Sequence, residues 1–198
     1  MTKLEKILEL STDKENLEIK EETKEETKKE DLDTKYMKMA LEEASKAGEI
    51  GEIPIGAVLV YEGEVIARGY NMREDWQDAT AHAEVIVIRN ACKKLKRWRL
   101  TGATLYVTIE PCPMCAGAIV MSRISRLVYG SADSKAGACG SLFNIVKHEG
   151  LNHEVETVCG VCGDECRDMM KNFFKRRRAE NKKKKQALRL KEELVKDK

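Results

Sequence analysis

His82 and Glu84 stand two residues apart in Thr80-Ala81-His82-Ala83-Glu84, and Pro111-Cys112-Pro113-Met114-Cys115 begins 27 residues after Glu84. One imidazole and two thiolates form a donor set suited to zinc, one ion per chain, and they leave a tetrahedral ion one ligand short. The open position takes water. On zinc, water ionises near about 7 instead of about 15.7, so a nucleophile exists at neutral pH. Glu84, a carboxylate beside the ion but outside its ligand set, can take the water proton and hand it to a leaving group. Such help is worth roughly 10²–10⁴ in rate. The chemistry these residues predict is hydrolysis at an electrophilic carbon.

The spacing also predicts how the chain must carry them. Cys112 and Cys115 share one face of a first helical turn, where Pro113 is tolerated because early N–H groups lack helical partners. On a regular helix His82 and Glu84 would point about 200° apart. His82 is therefore expected at a helix start, before the dihedrals become helical, with Thr80 or Asp78 as the cap. A helix N-terminus also favours thiolate at both cysteines. A second pair, Cys159-Gly160-Val161-Cys162 with Cys166 nearby, allows a four-cysteine site with Cys112 and Cys115, or a separate metal or redox site. The gap between the pairs is much longer than the roughly 15–20 residues of common zinc ribbons. The preferred reading of the second cluster is reduced thiols on a turn and a helix start.

With 198 residues the chain suits one domain with tails. It has no run of eighteen apolar residues and no charged start leading into an apolar run, so neither a membrane span nor a signal peptide is expected. Seven cysteines, an odd number with two assigned to metal, suit a reducing compartment, and a cytoplasmic location is expected. Charge is uneven: residues 1–35 hold 8 basic and 12 acidic groups, whereas 171–198 hold 13 basic and 4 acidic, a local +9. Arg176, Arg177, Arg178, Lys182 and Lys183 are the candidate contacts to a phosphate backbone. The chain divides into a charged extension at 1–35, expected to be disordered or a marginal solvated helix, a zinc-dependent domain at 36–180 and a basic tail at 181–198.

Met37, Ala40, Leu41, Ala44 and Ala47 recur at helical spacing, with Gly48 placed to end the helix. Ile55 to Tyr61 and Val65 to Gly69 read as a hairpin around Glu62-Gly63. Val85 to Ile88 has strand propensity, but the metal geometry predicts a buried helix. Leu105 to Ile109 is a strand delivering the cysteines, Ala116 to Met121 continues their helix, and Leu127 to Tyr129 is the next strand. Val155 to Val158 is a candidate fifth strand, and Asp164 to about Lys185 the last helix. Site residues at strand ends opening into helices suit an open α/β sheet.

H-x-E followed by P-C-x-x-C is the known signature of the zinc nucleobase deaminases, and deamination enters through that match of pattern. Beyond it stand Glu52-Ile53-Pro54-Ile55-Gly56-Ala57-Val58, Gly69-Tyr70-Asn71, Ala103 to Thr108, Ala116-Gly117-Ala118, Gly140-Ser141-Leu142 and Phe173-Phe174-Lys175-Arg176-Arg177-Arg178. With these, residues 36–180 resemble the bacterial tRNA-specific adenosine deaminases of the cytidine deaminase-like superfamily. The resemblance implies a three-layer α/β/α fold around a five-stranded mixed sheet, a homodimer, and conversion of a tRNA wobble adenosine to inosine in the anticodon stem-loop. It implies that His82, Cys112 and Cys115 bind zinc and that Glu84 donates protons. It implies further that Asn71 contacts the flipped base, Ile55 walls it and Asp133 touches ribose or backbone. Ala79 departs from the proline that the family has before Thr80.

Two other classes compete. A free-base or nucleoside deaminase, acting on guanine or cytidine, would share the zinc core but gain nothing from a +9 tail, whereas an anticodon loop can splay a base into an open site. A non-enzymatic RNA-binding module with structural zinc would need no carboxylate beside a missing ligand, and Glu84 argues against it. The tail favours RNA.

Overall fold

The computed structural model describes residues 28–196, with side chains to Leu188. Residues 28–35 belong to a unit separate from the body that begins at Tyr36, and they are helical; the rest of the 1–35 extension lies outside the described residues. Within the body, helix α1 (36–49) leads into strands β1 (Gly56–Tyr61) and β2 (Glu64–Tyr70), helix α2 (Ala83–Leu95) and strand β3 (Thr104–Ile109). Helix α3 (Pro113–Met121), strands β4 (Arg126–Ser131) and β5 (Glu156–Cys159) and helix α4 (Gly163–Lys196) complete it. The strands lie in the order β2-β1-β3-β4-β5. β1 is antiparallel to both neighbours, while β3, β4 and β5 run parallel. This is the expected three-layer α/β/α arrangement on a five-stranded mixed sheet.

Period-two alternation divides the sheet between two cores. Ala57, Leu59, Leu105, Val107, Leu127 and Tyr129 point to the side of α2 and α3, packing with Val87, Ala91, Ala116 and Ile119. Val58, Val60, Tyr106 and Val128 point the other way, toward Met37 and Ala40 of α1 and Cys166 of α4. Contact on that second side is close. A Cβ on Gly56 would fall inside the contact radius of the Ala40 carbonyl and the Ala44 nitrogen, so helix backbone lies directly on the start of β1. Glu62 (φ 51°) and Gly63 (φ 78°) both take left-handed dihedrals, the two-residue turn whose twist matches a hairpin.

Several boundaries differ from those the sequence predicts. α1 passes Gly48 and ends at residue 49, and Gly51 (φ 86°) is the residue that turns left-handed after it. The polar run after Glu180 is expected as a tail, yet α4 continues without a break through Lys196. Lys182 to Leu190 contains only Lys, Gln, Ala, Leu and Arg, strong helix formers with no glycine or proline to stop them.

Candidate active site

The parallel strands β3 and β4 end at the same edge of the sheet, where β1 begins and β2 finishes, so every loop leaving that edge reaches a common region. Helices α2 and α3 start there. His82 is the N-cap of α2 with extended dihedrals (φ −78°, ψ 149°), and Cys112 is the N-cap of α3 (φ −71°, ψ 172°) with Pro113 in the first turn. The non-helical dihedral at His82 resolves the two-residue spacing with Glu84 as expected. The expected side-chain caps do not form. No side chain caps α2; Asp78 Oδ1 instead accepts from the Thr80 N–H and hydroxyl at 2.7 Å each, closing a local turn before the helix.

His82, Cys112 and Cys115 meet, their ligand atoms all within 4.8 Å of one another. His82 Nδ1 lies 3.7 Å from Cys112 Sγ and 3.6 Å from Cys115 Sγ. Donors bound to one tetrahedral ion at about 2.0 Å for nitrogen and 2.3 Å for sulfur stand roughly 3.5 Å apart, so the cluster fits an ion that accepts N and S ligands. Among the described residues no other group of three or more such side chains gathers in this way, so Cys159 and Cys162 do not join Cys112 and Cys115 in a four-cysteine site. The hydrogen bond from Cys115 holds the Cys112 thiol down to about 4, and the same bond, with burial, pushes Cys115 up. The contact with Cys112 raises His82 above its ordinary value.

Glu84 is 4% exposed, and its Oε2 is buried with no hydrogen-bond partner. Burial pushes its carboxyl above the usual range. A buried carboxylate oxygen left unpaired is costly, so it marks a place where a reacting group or water belongs.

Two further buried carboxylates escape motif reasoning. Glu52 accepts the Asn71 Nδ2 hydrogen at 2.7 Å and the backbone N–H groups of Glu74 and Asp75 at 2.7 Å, so it fixes the amide of Asn71 and the loop leading to His82. Glu110 accepts from the N–H groups of Asp133, Cys139 and Ser141 and from the Ser141 hydroxyl. Burial alone would raise its carboxyl; these bonds outweigh it and hold it low. A signal for Glu110 exists in the sequence, where it is the one charged residue between Ala103 and Ser122.

Along α4, and reaching the end of β3 at Ile109, runs a groove of about 970 Å³. Ile53, Ile55 and Ile109 form its apolar side, Asp133 and Lys135 its loop side, and α4 supplies Arg167, Lys171, Lys175 and Arg178 with Phe174 between them. Steps of four, four and three put these cations on one helix face. Of the sequence candidates, Ile55, Asp133 and Arg178 therefore line one groove, and Asn71, buried in the chain after β2, donates its N–H to the Ile55 carbonyl at 3.0 Å without lining the groove. Asp133 Oδ1 is engaged in its own turn, accepting from Lys135 and Ala136 N–H. Arg176 and Arg177 face the turn at Gly48 and Gly51, and Arg177 Nη1 donates to the Gly51 carbonyl at 3.3 Å. Lys182 and Lys183 are exposed farther along α4. Lys175 opens the basic run that continues through Arg178, whereas Lys171 and Arg167 belong to no such run and only their helical spacing points to them.

A family profile described as MafB19-like deaminase matches residues 32–178. The tRNA-specific adenosine deaminase of Bacillus subtilis (strain 168) is 55% identical over 150 residues, 76% of this chain and 93% of the relative. That of Haemophilus influenzae is 48% identical, over 77% of this chain and 88% of the relative. A solved structure from a study of A-to-I editing by tRNA:A34 deaminases matches with TM-score 0.67 and 48% identity, covering 69% of this chain and 99% of the other. Guanine deaminase from Nitrosomonas europaea, 21% identical over 71% of this chain and 83% of the other with TM-score 0.62, shares the fold. With this mixed sheet, this histidine and cysteine cluster and these relatives in sequence and structure, the chain belongs to the bacterial tRNA-specific adenosine deaminases.

Proposed function

We propose that this protein hydrolytically deaminates the wobble adenosine of a tRNA anticodon loop to inosine, using one zinc ion per chain held by His82, Cys112 and Cys115. The observation that carries the reading is the three-donor cluster beside an unpaired, buried Glu84 oxygen. When bound, zinc supplies Lewis acidity and lowers the pKa of water in its fourth position. Glu84 accepts the water proton at Oε2 and returns protons to the purine nitrogen and the departing amine; its buried carboxyl, raised above the ordinary range, holds a proton more readily than an exposed one would. Asn71, its amide fixed by Glu52, orients the flipped base, and Ile55 excludes water from one side of it.

The groove favours RNA over a free base as substrate. Its cations span α4 next to Ile55, and phosphates of a splayed loop would lie along them while a base enters the site. We assign Lys175 and Arg178 the backbone contacts first; among the described residues neither carries an ion pair. Arg167 and Lys171 are engaged with Asp164 and Asp168 in exposed pairs that cost little to break. Asp133 is assigned a ribose contact, and Arg176, Arg177, Lys182 and Lys183 outlying contacts to the rest of the stem-loop. A homodimer is part of the reading. Met114, Gly117 and Met121 share the outer face of α3; Met114 and Met121 are exposed, and a Cβ on Gly117 would meet nothing, so a partner can approach closely. No described helix is long and apolar enough to cross a membrane, and the cytoplasm is proposed as the location. The test is incubation with an unmodified anticodon stem-loop bearing a wobble adenosine, guanine and cytidine serving as competing substrates. Inosine in the RNA is expected; turnover of a free base or nucleoside with none of the RNA would overturn the reading.

A further inference from the structure

Glu110 occupies an unusual place. It is the residue before Pro111-Cys112, it is 3% exposed, and its two oxygens take four hydrogen bonds, all from one distant loop. Asp133 N–H and the Ser141 hydroxyl reach Oε2, and Cys139 N–H and Ser141 N–H reach Oε1, each N–H at 3.0 Å. The next residue repeats the attachment through backbone, since the Pro111 carbonyl accepts from Ala138 N–H at 2.9 Å. Gly137 is pressed onto the carboxylate so closely that a Cβ there would overlap Glu110 Cδ and Oε2. The loop is thus wrapped around one side chain. Its tip carries Asp133 and Lys135 into the groove, and its base is buried at Ala138 and Cys139.

We propose that Glu110 is a positioning residue that sets the loop 133–141, and through it Asp133 and Lys135, in register with the metal-binding cysteines for gripping RNA. The physical reason is connectivity. Between Ser131 and Ser141 the chain forms no strand or helix, and the regular bridge it does make is the isolated pair of Cys139 with Asn144. Without a central acceptor, three N–H groups would lose their partner in a partly buried place, and the loop would open locally. Because the acceptor belongs to the segment that ends in Cys112, the loop tip is referenced to the reacting centre and not to the sheet at large. Glu110 touches neither ligand atoms nor the proposed base, so its effect passes through the loop.

This inference rests on the RNA reading for its functional half, and the experiment separates the two. Glu110→Gln keeps the shape but presents an NH₂ to donors, breaking at least one of the four bonds whichever way the amide turns. In the zinc-loaded variant, hydrogen exchange at Asp133, Cys139 and Ser141 should speed up by roughly 10-fold or more, with α2 and α3 amides unchanged. KM for the stem-loop should rise roughly 10-fold while kcat stays within about 3-fold. Lys135→Ala should raise KM in the wild-type background and much less in Glu110→Gln, since the loop no longer holds Lys135 in place. Loop amides as protected as in wild type, additive effects of the two substitutions, or a zinc-loaded variant with unchanged KM would each overturn the proposal. If the wild-type chain leaves the stem-loop unmodified, the RNA reading falls, but the exchange measurement needs no substrate and still decides the role of Glu110. Should Glu110→Gln fail to fold, Ser141→Ala, which removes the hydroxyl donor alone, must loosen the same loop amides without moving α2 or α3; unaltered loop exchange there overturns the proposal as well.

Discussion

At Glu84 the chain keeps an acid in a place where folding alone would not. Its unpaired oxygen costs stability and has no packing role, so the natural test removes the charge and keeps the shape. Glu84→Gln should hold about one zinc per chain, by metal analysis, while turnover falls by at least about 10². A variant retaining a tenth of the activity would exclude Glu84 as the proton carrier. Cys112→Ala should lose metal and activity together, because two donors bind zinc poorly. The other cysteines should behave as thiols. Burial pushes Cys166 up to about 12, so at pH 8 it is protonated and packed under Gly130, and iodoacetamide should label the exposed Cys159 in the folded protein but reach Cys166 only on unfolding. Cys159→Ser with Cys162→Ser should leave zinc content intact. The cluster of His82, Cys112 and Cys115 with Glu84 is legible in the sequence because metal chemistry restricts residue type and spacing so narrowly. The bonds of Glu52 and Glu110 are not, even though Glu110 stands out as a lone charge, because their partners include backbone N–H groups 22 to 31 residues away, and no side-chain pattern records those.

For the elements, the most informative segment is Val85 to Ile88. Local propensity favours a strand there, and the donor geometry at His82 requires a helix; the chain follows the latter, with Val87 and Ile88 buried in the core under the sheet. The positions of the strands and the first hairpin are readable from the sequence pattern, whereas the three layers come from the family resemblance and the order β2-β1-β3-β4-β5 from the structure. Helix ends are less readable. Asp78 and Thr80 have the right chemistry for a cap, but they satisfy each other, and the N-cap residue His82 gathers with Cys112 and Cys115 instead. Gly48 looks like a stop, yet it has an ordinary dihedral and Gly51 makes the turn. A sharper dependence sits at Gly56. No side chain can move to make room for a methyl there, because the opposing atoms are α1 backbone, so Gly56→Ala should destabilise by on the order of 3 kcal/mol or more in urea unfolding, with α1 displaced.

Taken whole, the molecule places its chemistry and its charge on different supports. The reacting centre is built from the starts of α2 and α3 at one edge of the sheet, while the cations ride on α4, whose 34 residues span about 50 Å. Lys175→Ala with Arg178→Ala should weaken stem-loop binding and flatten the plot of log affinity against log salt by roughly 1.4 to 1.8, at about 0.7 to 0.9 per phosphate. Ending the chain after Glu180 should flatten it less, since the groove cations remain. Turnover at saturating RNA should change little in either case. The hairpin at Glu62 and Gly63 lies at the other end of β1 from the candidate site; a Cβ on Gly63 would meet nothing, while its carbonyl accepts from the Tyr36 hydroxyl at 2.8 Å. A linker or a small fluorescent domain spliced between those two residues would sit at the opposite end of β1 from the candidate site, leaving the site's edge of the sheet free. The hairpin is the place to attach a reporter or a surface tether to a working enzyme.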